Sequence, residues 1–150
     1  HYNLGQAYTK QRRGEQAVEH FKRAVKLDPT YWQAWLNLGS LNAMQGKLYE
    51  AKDIFHRVAQ AQPQRAEIWV NLAHVHRSLR QDSSAIDNYL RALTVNPRQP
   101  RIYAELLQLY FQRGETKQAK ALLDMALENY PRDQEKLLRL FDDTRQRVER

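Results

Sequence analysis

Residues 69–80 read W-V-N-L-A-H-V-H-R-S-L-R. Large apolar residues alternate there with Asn, His and Arg, as on a helix with one face turned inward and another turned toward a partner. The same register returns up and down the chain. Trp69 has counterparts in Trp35 and Tyr103, and Leu72 has counterparts in Leu4, Leu38 and Leu106, each step being 34 residues. Pro29, Pro63, Pro97 and Pro131 keep that period, as do Ala17, Ala51, Ala85 and Ala119, and so does the series Phe21, Phe55, Tyr89, Leu123. Self-similarity at a fixed period of this length is the signature of a repeat array.

Composition points the same way. With 42% hydrophobic residues and a mean hydropathy of -0.81, the chain has a modest core under a very polar surface. Gly and Pro number five each, while helix formers fill nearly every window, so the fold class is all-α. The lack of cysteine excludes disulfides, thiolate zinc sites and Cys nucleophiles but leaves the compartment open. No run of 18 apolar residues exists, so no membrane insertion is expected. A chain that opens at His1 inside a helical pattern is expected to be a fragment of a longer protein, and the cytoplasm is its expected location.

The net charge of +7 is spread in a shallow decline from the N-terminus, with no basic block. Lys10, Arg12 and Arg13, then Lys22, Arg23 and Lys26, read as a solvated helix face rather than a phosphate track. Nucleic acid is therefore not an expected partner, and only a weak preference for acidic partners follows.

The quoted residues resemble the tetratricopeptide repeat (TPR) family, whose 34-residue unit carries a W-x2-L-G-x2-Y, A-x3-F-x2-A and final P pattern. Repeat one shows Leu4, Gly5, Tyr8, Ala17, Phe21, Ala24 and Pro29; repeat two shows Trp35, Leu38, Gly39, Ala51, Phe55 and Pro63. Repeat three shows Trp69, Leu72, Ala85, Tyr89, Ala92 and Pro97, with Ala73 in the small-residue slot. Repeat four shows Tyr103, Leu106, Tyr110, Ala119, Ala126 and Pro131. The resemblance implies an α-α superhelix of four helical hairpins, over 1–31, 32–65, 66–99 and 100–133, closed by a capping helix over 134–150. Leu137, Leu138, Leu140, Phe141 and Val148 would cover the open edge of repeat four.

Small residues at Gly5, Gly39 and Ala73 let paired backbones approach closely; Leu107 departs from that rule and predicts an outward shift or a compensating neighbour. Gly46 and Gly114 can take positive φ and end first helices, while Asp28-Pro29 and Asn96-Pro97 end second ones.

No catalytic constellation, metal motif or cofactor-binding loop is present, so neither an enzyme nor a cofactor is expected. The His74-x-His76 pair lies about 200° apart around a helix and cannot converge on one metal. His76 falls with Trp69 and Leu72 on the core side and His74 with Asn71 on the opposite face. Asp142-Asp143 reads as a solvated pair.

Asn71 repeats as Asn37 and Asn3, and the row breaks at Glu105. A carboxamide offers an acceptor and two donors, so it can pair with the peptide group of any extended chain. The resemblance implies that first-helix positions line a concave groove. The candidate peptide-binding residues are Asn3, Gln6, Lys10, Gln33, Asn37, Ser40, Met44, Glu67, Asn71, His74, Arg77, Arg101, Glu105 and Gln108, with Tyr2, Leu36, Val70 and Phe111 on the same face. The family's clamp for chaperone C-terminal carboxylates is not expected, because only Asn37 matches it and Glu67 would repel a carboxylate. The expected function is a scaffold or adaptor that binds a protein or peptide segment. The alternatives are a homo-oligomerisation module using Tyr31, Trp32 or the open N-terminal edge, or a non-catalytic targeting region of a larger enzyme.

Overall fold

Asp28, Gln62, Asn96 and Tyr130 each precede a proline, whose ring pushes the residue before it out of helical geometry. In the computed structural model, which describes residues 1–150, these four residues end helices with φ of -135°, -134°, -140° and -128°. The helices so delimited are α1 (Tyr2–Lys10), α2 (Gly14–Leu27), α3 (Trp32–Met44), α4 (Leu48–Ala61), α5 (Ala66–Ser78), α6 (Asp82–Val95), α7 (Pro100–Gln112), α8 (Thr116–Asn129) and α9 (Gln134–Glu149). Successive pairs form four hairpins, each packed on the next, and α9 lies against α7 and α8 as the capping helix.

The hairpin turns share one device. Arg12, Gly46, Arg80 and Gly114, each 34 residues apart, take positive φ of 57°, 76°, 57° and 69°. The following amides, of Arg13, Lys47, Gln81 and Glu115, donate back to the carbonyls of Tyr8, Asn42, His76 and Tyr110 at 2.8–2.9 Å. This is a Schellman closure, which satisfies carbonyls that the helix end would leave bare. The sequence marks it with glycine only at Gly46 and Gly114; the two arginines adopt it against their own steric preference.

Within each hairpin the small residue of the first helix meets the ring of the second. A Cβ on Gly5 would stand 2.8 Å from Phe21, and one on Gly39 would stand 2.7 Å from Phe55. At the equivalent positions the third and fourth hairpins carry Ala73 and Tyr89, then Leu107 and Leu123, all four buried in one core cluster. Both outcomes expected at Leu107 are seen: a leucine replaces the ring on the partner helix, and α7 and α8 approach each other less closely than the helices of the other hairpins.

The prolines and tryptophans are also coupled. Trp35 Nε1 donates to the Pro29 carbonyl at 3.0 Å and Trp69 Nε1 to the Pro63 carbonyl at 2.8 Å. The indole thereby ties the Pro29 and Pro63 turns to the hairpins that follow them.

The apolar interior is a series of local clusters rather than one centre. One joins α2 to α3, a second joins α4 to α5, and a third runs from Ala73 to Leu137 across the last two hairpins and α9. At the edges one repeat position changes its burial and one apolar expectation fails. Leu38, Leu72 and Leu106 are at most 3% exposed because each faces a preceding hairpin, whereas Leu4, on the first helix described, is 50% exposed. On α9, Leu137 is buried and Leu140, Phe141 and Val148 pack on the core, but Leu138 faces outward at 47% exposure.

Two stability measurements follow. Gly39→Leu should cost about 3 kcal/mol by overpacking against Phe55, and adding Phe55→Leu, which reproduces the fourth hairpin's pair, should recover at least half of it in urea denaturation. Arg80→Gly should raise stability by about 1 kcal/mol, since glycine occupies the left-handed position without the Cβ penalty.

Candidate functional site

The candidate residues all fall on α1, α3, α5 and α7, the first helices of the four hairpins. Asn3, Gln6, Lys10, Met44, Glu67, His74 and Arg101 are exposed; Gln33, Asn37, Ser40, Asn71, Arg77, Glu105 and Gln108 are half-buried. They form a succession of small settings rather than one continuous strip.

At the N-terminal end, the Tyr2 hydroxyl accepts from Gln6 at 3.0 Å and from Asn37 Nδ2 at 3.2 Å. The Tyr2 ring stacks at a tilt on Tyr31, with centroids 4.6 Å apart. Asn37 is thus already engaged within the fold. Tyr31 and Trp32, which self-assembly would present outward, are half-buried; Trp32 carries the Arg65 guanidinium 4.0 Å above its ring.

Between α3 and α5 the face opens into a cavity of about 250 Å³. Ser40, Met44, Asn71, His74 and Ser78 rim it, and Ala43, Leu48, Phe55 and Val75 supply apolar floor and wall. Four candidates, Ser40, Met44, Asn71 and His74, are brought together here. The floor residues escape sequence reading because Phe55 and Val75 read as buried core positions of α4 and α5. Asn71, unlike Asn37, makes no side-chain hydrogen bond within the protein.

Between α5 and α7, Arg77 Nη1 donates to Glu105 Oε2 in an ion pair that joins the last two hairpins. The break in the asparagine row is therefore a charged bridge between helices, with its negative charge neutralised. Glu67 lies 4.0 Å from Arg65, at the rim. Phe111 is not available to a ligand: it is 8% exposed and packs against Phe141 of α9, with ring centroids 5.1 Å apart. The capping helix consumes the groove face at that end. The side chains of Asn3, Lys10, Gln33 and Gln108 make no hydrogen bond within the protein.

His74 and His76 separate as helical geometry requires. His76 is 7% exposed and its Nδ1 pairs with Gln81 Oε1 at 2.7 Å, while the His74 ring meets Tyr89 edge-on at 5.7 Å. Burial lowers the His74 pKa, and the Arg101 and Arg77 charges lower it further. On the opposite side of the hairpins, His56 lies 5.8 Å from His76; burial, then His76, Lys52 and Arg91, lower its pKa against a smaller opposing effect of Asp53.

A histidine whose folded pKa lies below its ordinary 6.5 is protonated more readily in the unfolded chain, so its stabilising effect is complete above that value and is lost as pH falls through the folded pKa. Urea midpoints should therefore decline between about pH 7 and pH 5, and the His56→Gln/His74→Gln variant should decline less steeply over that window.

With this geometry in place, the known proteins that match the chain can be set beside it. Tetratricopeptide repeat sequences match over residues 1–31, 20–53, 66–99 and 83–140. None of the curated proteins compared with the chain matches it. Among solved structures, MamA is 26% identical and superposes with a TM-score of 0.80, over 88% of this chain and 77% of that one. YrrB, described as a TPR protein with an unusual peptide-binding site, superposes with a TM-score of 0.76 at 19% identity, over 99% of this chain and 76% of that one. The first TPR of Spaghetti (RPAP3), bound to the HSP90 peptide SRMEEVD, gives a TM-score of 0.69 at 18% identity, over 72% of this chain and 86% of that one. The 34-residue register, the stacked hairpins and these matches agree: the chain belongs to the tetratricopeptide repeat family.

Proposed function

We propose that the chain is an interaction scaffold that holds an extended peptide or protein segment along the face built by α1, α3, α5 and α7, and performs no chemistry of its own. The observation that carries this reading is the cavity between α3 and α5, a concave apolar socket with the uncommitted Asn71 carboxamide at its rim. An extended strand leaves its peptide groups unpaired and its side chains alternating, so it needs polar partners and side-chain sockets together. This face supplies both. Two structural relatives are described with peptide sites, which supports the same reading. No helix is long and apolar enough to cross a membrane.

A second reading has its own observation. Leu4 is half-exposed at the position where its three counterparts are buried against a neighbouring hairpin, so the α1 edge could seat another copy of the chain. Sedimentation over a range of concentrations separates the two: a concentration-independent monomer excludes self-assembly through this edge.

The scaffold reading is tested by comparing proteins captured by the wild-type chain with those captured by Asn71→Ala and by Asn37→Ala/Asn71→Ala. Some partners should vanish with Asn71→Ala alone while helicity by circular dichroism is unchanged. The double variant also gives up the Asn37 bond to Tyr2, worth about 1 kcal/mol, so its melting temperature should fall slightly. Equal capture by all three proteins would rule out the asparagine row and shift attention to the opposite face.

A further inference from the structure

The groove beside the α3–α5 cavity carries an electrostatic imbalance. Arg77 and Arg101 both act on the His74 ring, yet only Arg77 has a carboxylate partner, in Glu105. Arg101, on the first turn of α7, is exposed and its side chain makes no ion pair or hydrogen bond within the protein. Beneath His74, the Tyr89 side chain is 0% exposed and its hydroxyl has no hydrogen-bond partner. At the equivalent positions of the first two hairpins, Phe21 and Phe55 have no such group to satisfy. The Tyr89 hydroxyl is sealed in the core, out of a ligand's reach, whereas the Arg77–Glu105 pair joins α5 to α7 and sets Arg101, one turn before Glu105, on the groove as an unpaired guanidinium that a carboxylate can approach.

The neighbouring cavity sets the other half of the chemistry. Its volume of about 250 Å³ is below the range usual for small-molecule pockets, about 300–1,000 Å³. It suits one aliphatic side chain. Met44, 81% exposed, forms a flexible wall that can close over such a group. His74 borders both the cavity and the Arg101 charge, so an extended chain rising about 3.3 Å per residue spans the two within a few residues.

We propose that this stretch of the groove recognises a two-part signature in an extended segment: an aliphatic side chain in the socket floored by Phe55 and Val75, and an internal Asp or Glu nearby that pairs with Arg101. The inference rests on the scaffold reading and names the class of segment that reading would take. A surface with net charge +7 favours acidic partners at a distance as well. The acceptor is a side-chain carboxylate, so a free chain end is not required.

The test uses fluorescence anisotropy of the full chain with labelled ten-residue peptides, C-terminally amidated, in which Leu and Glu stand two, three or four positions apart. In the best-binding spacing, Leu→Ser and Glu→Gln should each weaken binding about tenfold. Ser40→Trp, which fills the socket, should erase the difference between the Leu and Ser peptides. Arg101→Glu should reverse the charge preference, so that a peptide with Lys in place of Glu binds better than the parent. A free C-terminus should change affinity little. Equal binding of the Glu and Gln peptides by the wild-type chain, or an unchanged preference in Arg101→Glu, overturns the proposal. So does a panel in which no peptide binds, and the capture experiment with Asn71→Ala then judges the scaffold reading separately.

Discussion

The close approach of two helices within a hairpin governs everything built on it. A glycine or alanine on the first helix leaves room for a ring from the second, and the ring fills that room to van der Waals contact. The pair is a joint solution, since neither residue is favourable without the other. The fourth hairpin shows this by changing both members, to Leu107 and Leu123, and its two helices stand less closely together than those of the other hairpins. Residues 16 apart in the chain thus vary together because they share one volume.

From that contact the rest follows in sequence. A tightly paired hairpin has a fixed outer face, and its apolar side must be covered by the next unit. Proline ends each second helix, tryptophan anchors to the proline carbonyl in the first two turns, and the next hairpin is set in place. The first helices consequently stand side by side on one surface. The capping helix α9 completes the series by burying what repeat four would leave open, and it takes Phe111 out of the groove in doing so.

The groove inherits its character from how each hairpin is packed. Between α3 and α5 a socket forms with the core residues Phe55 and Val75 among its lining. Where α5 and α7 come together, opposite charges meet in the Arg77–Glu105 bridge and leave Arg101 without a counter-charge. The asparagine row is one sequence feature with four different fates: Asn3 exposed, Asn37 bonded to Tyr2, Asn71 uncommitted, and Glu105 paired. Identical spacing did not guarantee identical surroundings, because neighbours at the other face positions differ from repeat to repeat.

The helices, their boundaries, the inward and outward faces and the split of His74 from His76 were legible in the chain itself, since each depends on local steric preference or on a periodicity that 34-residue spacing makes visible. The left-handed turns at Arg12 and Arg80 were hidden, because the fold imposes there a geometry that arginine does not announce. Residues on the groove face could be named from the repeat, but not their state. Whether a side chain is free, bonded, or covered depends on partners 28 to 35 residues away, as with Arg77 and Glu105 or Tyr2 and Asn37. Periodicity determined which way each residue points; only the packing of one hairpin on another decided what it meets there.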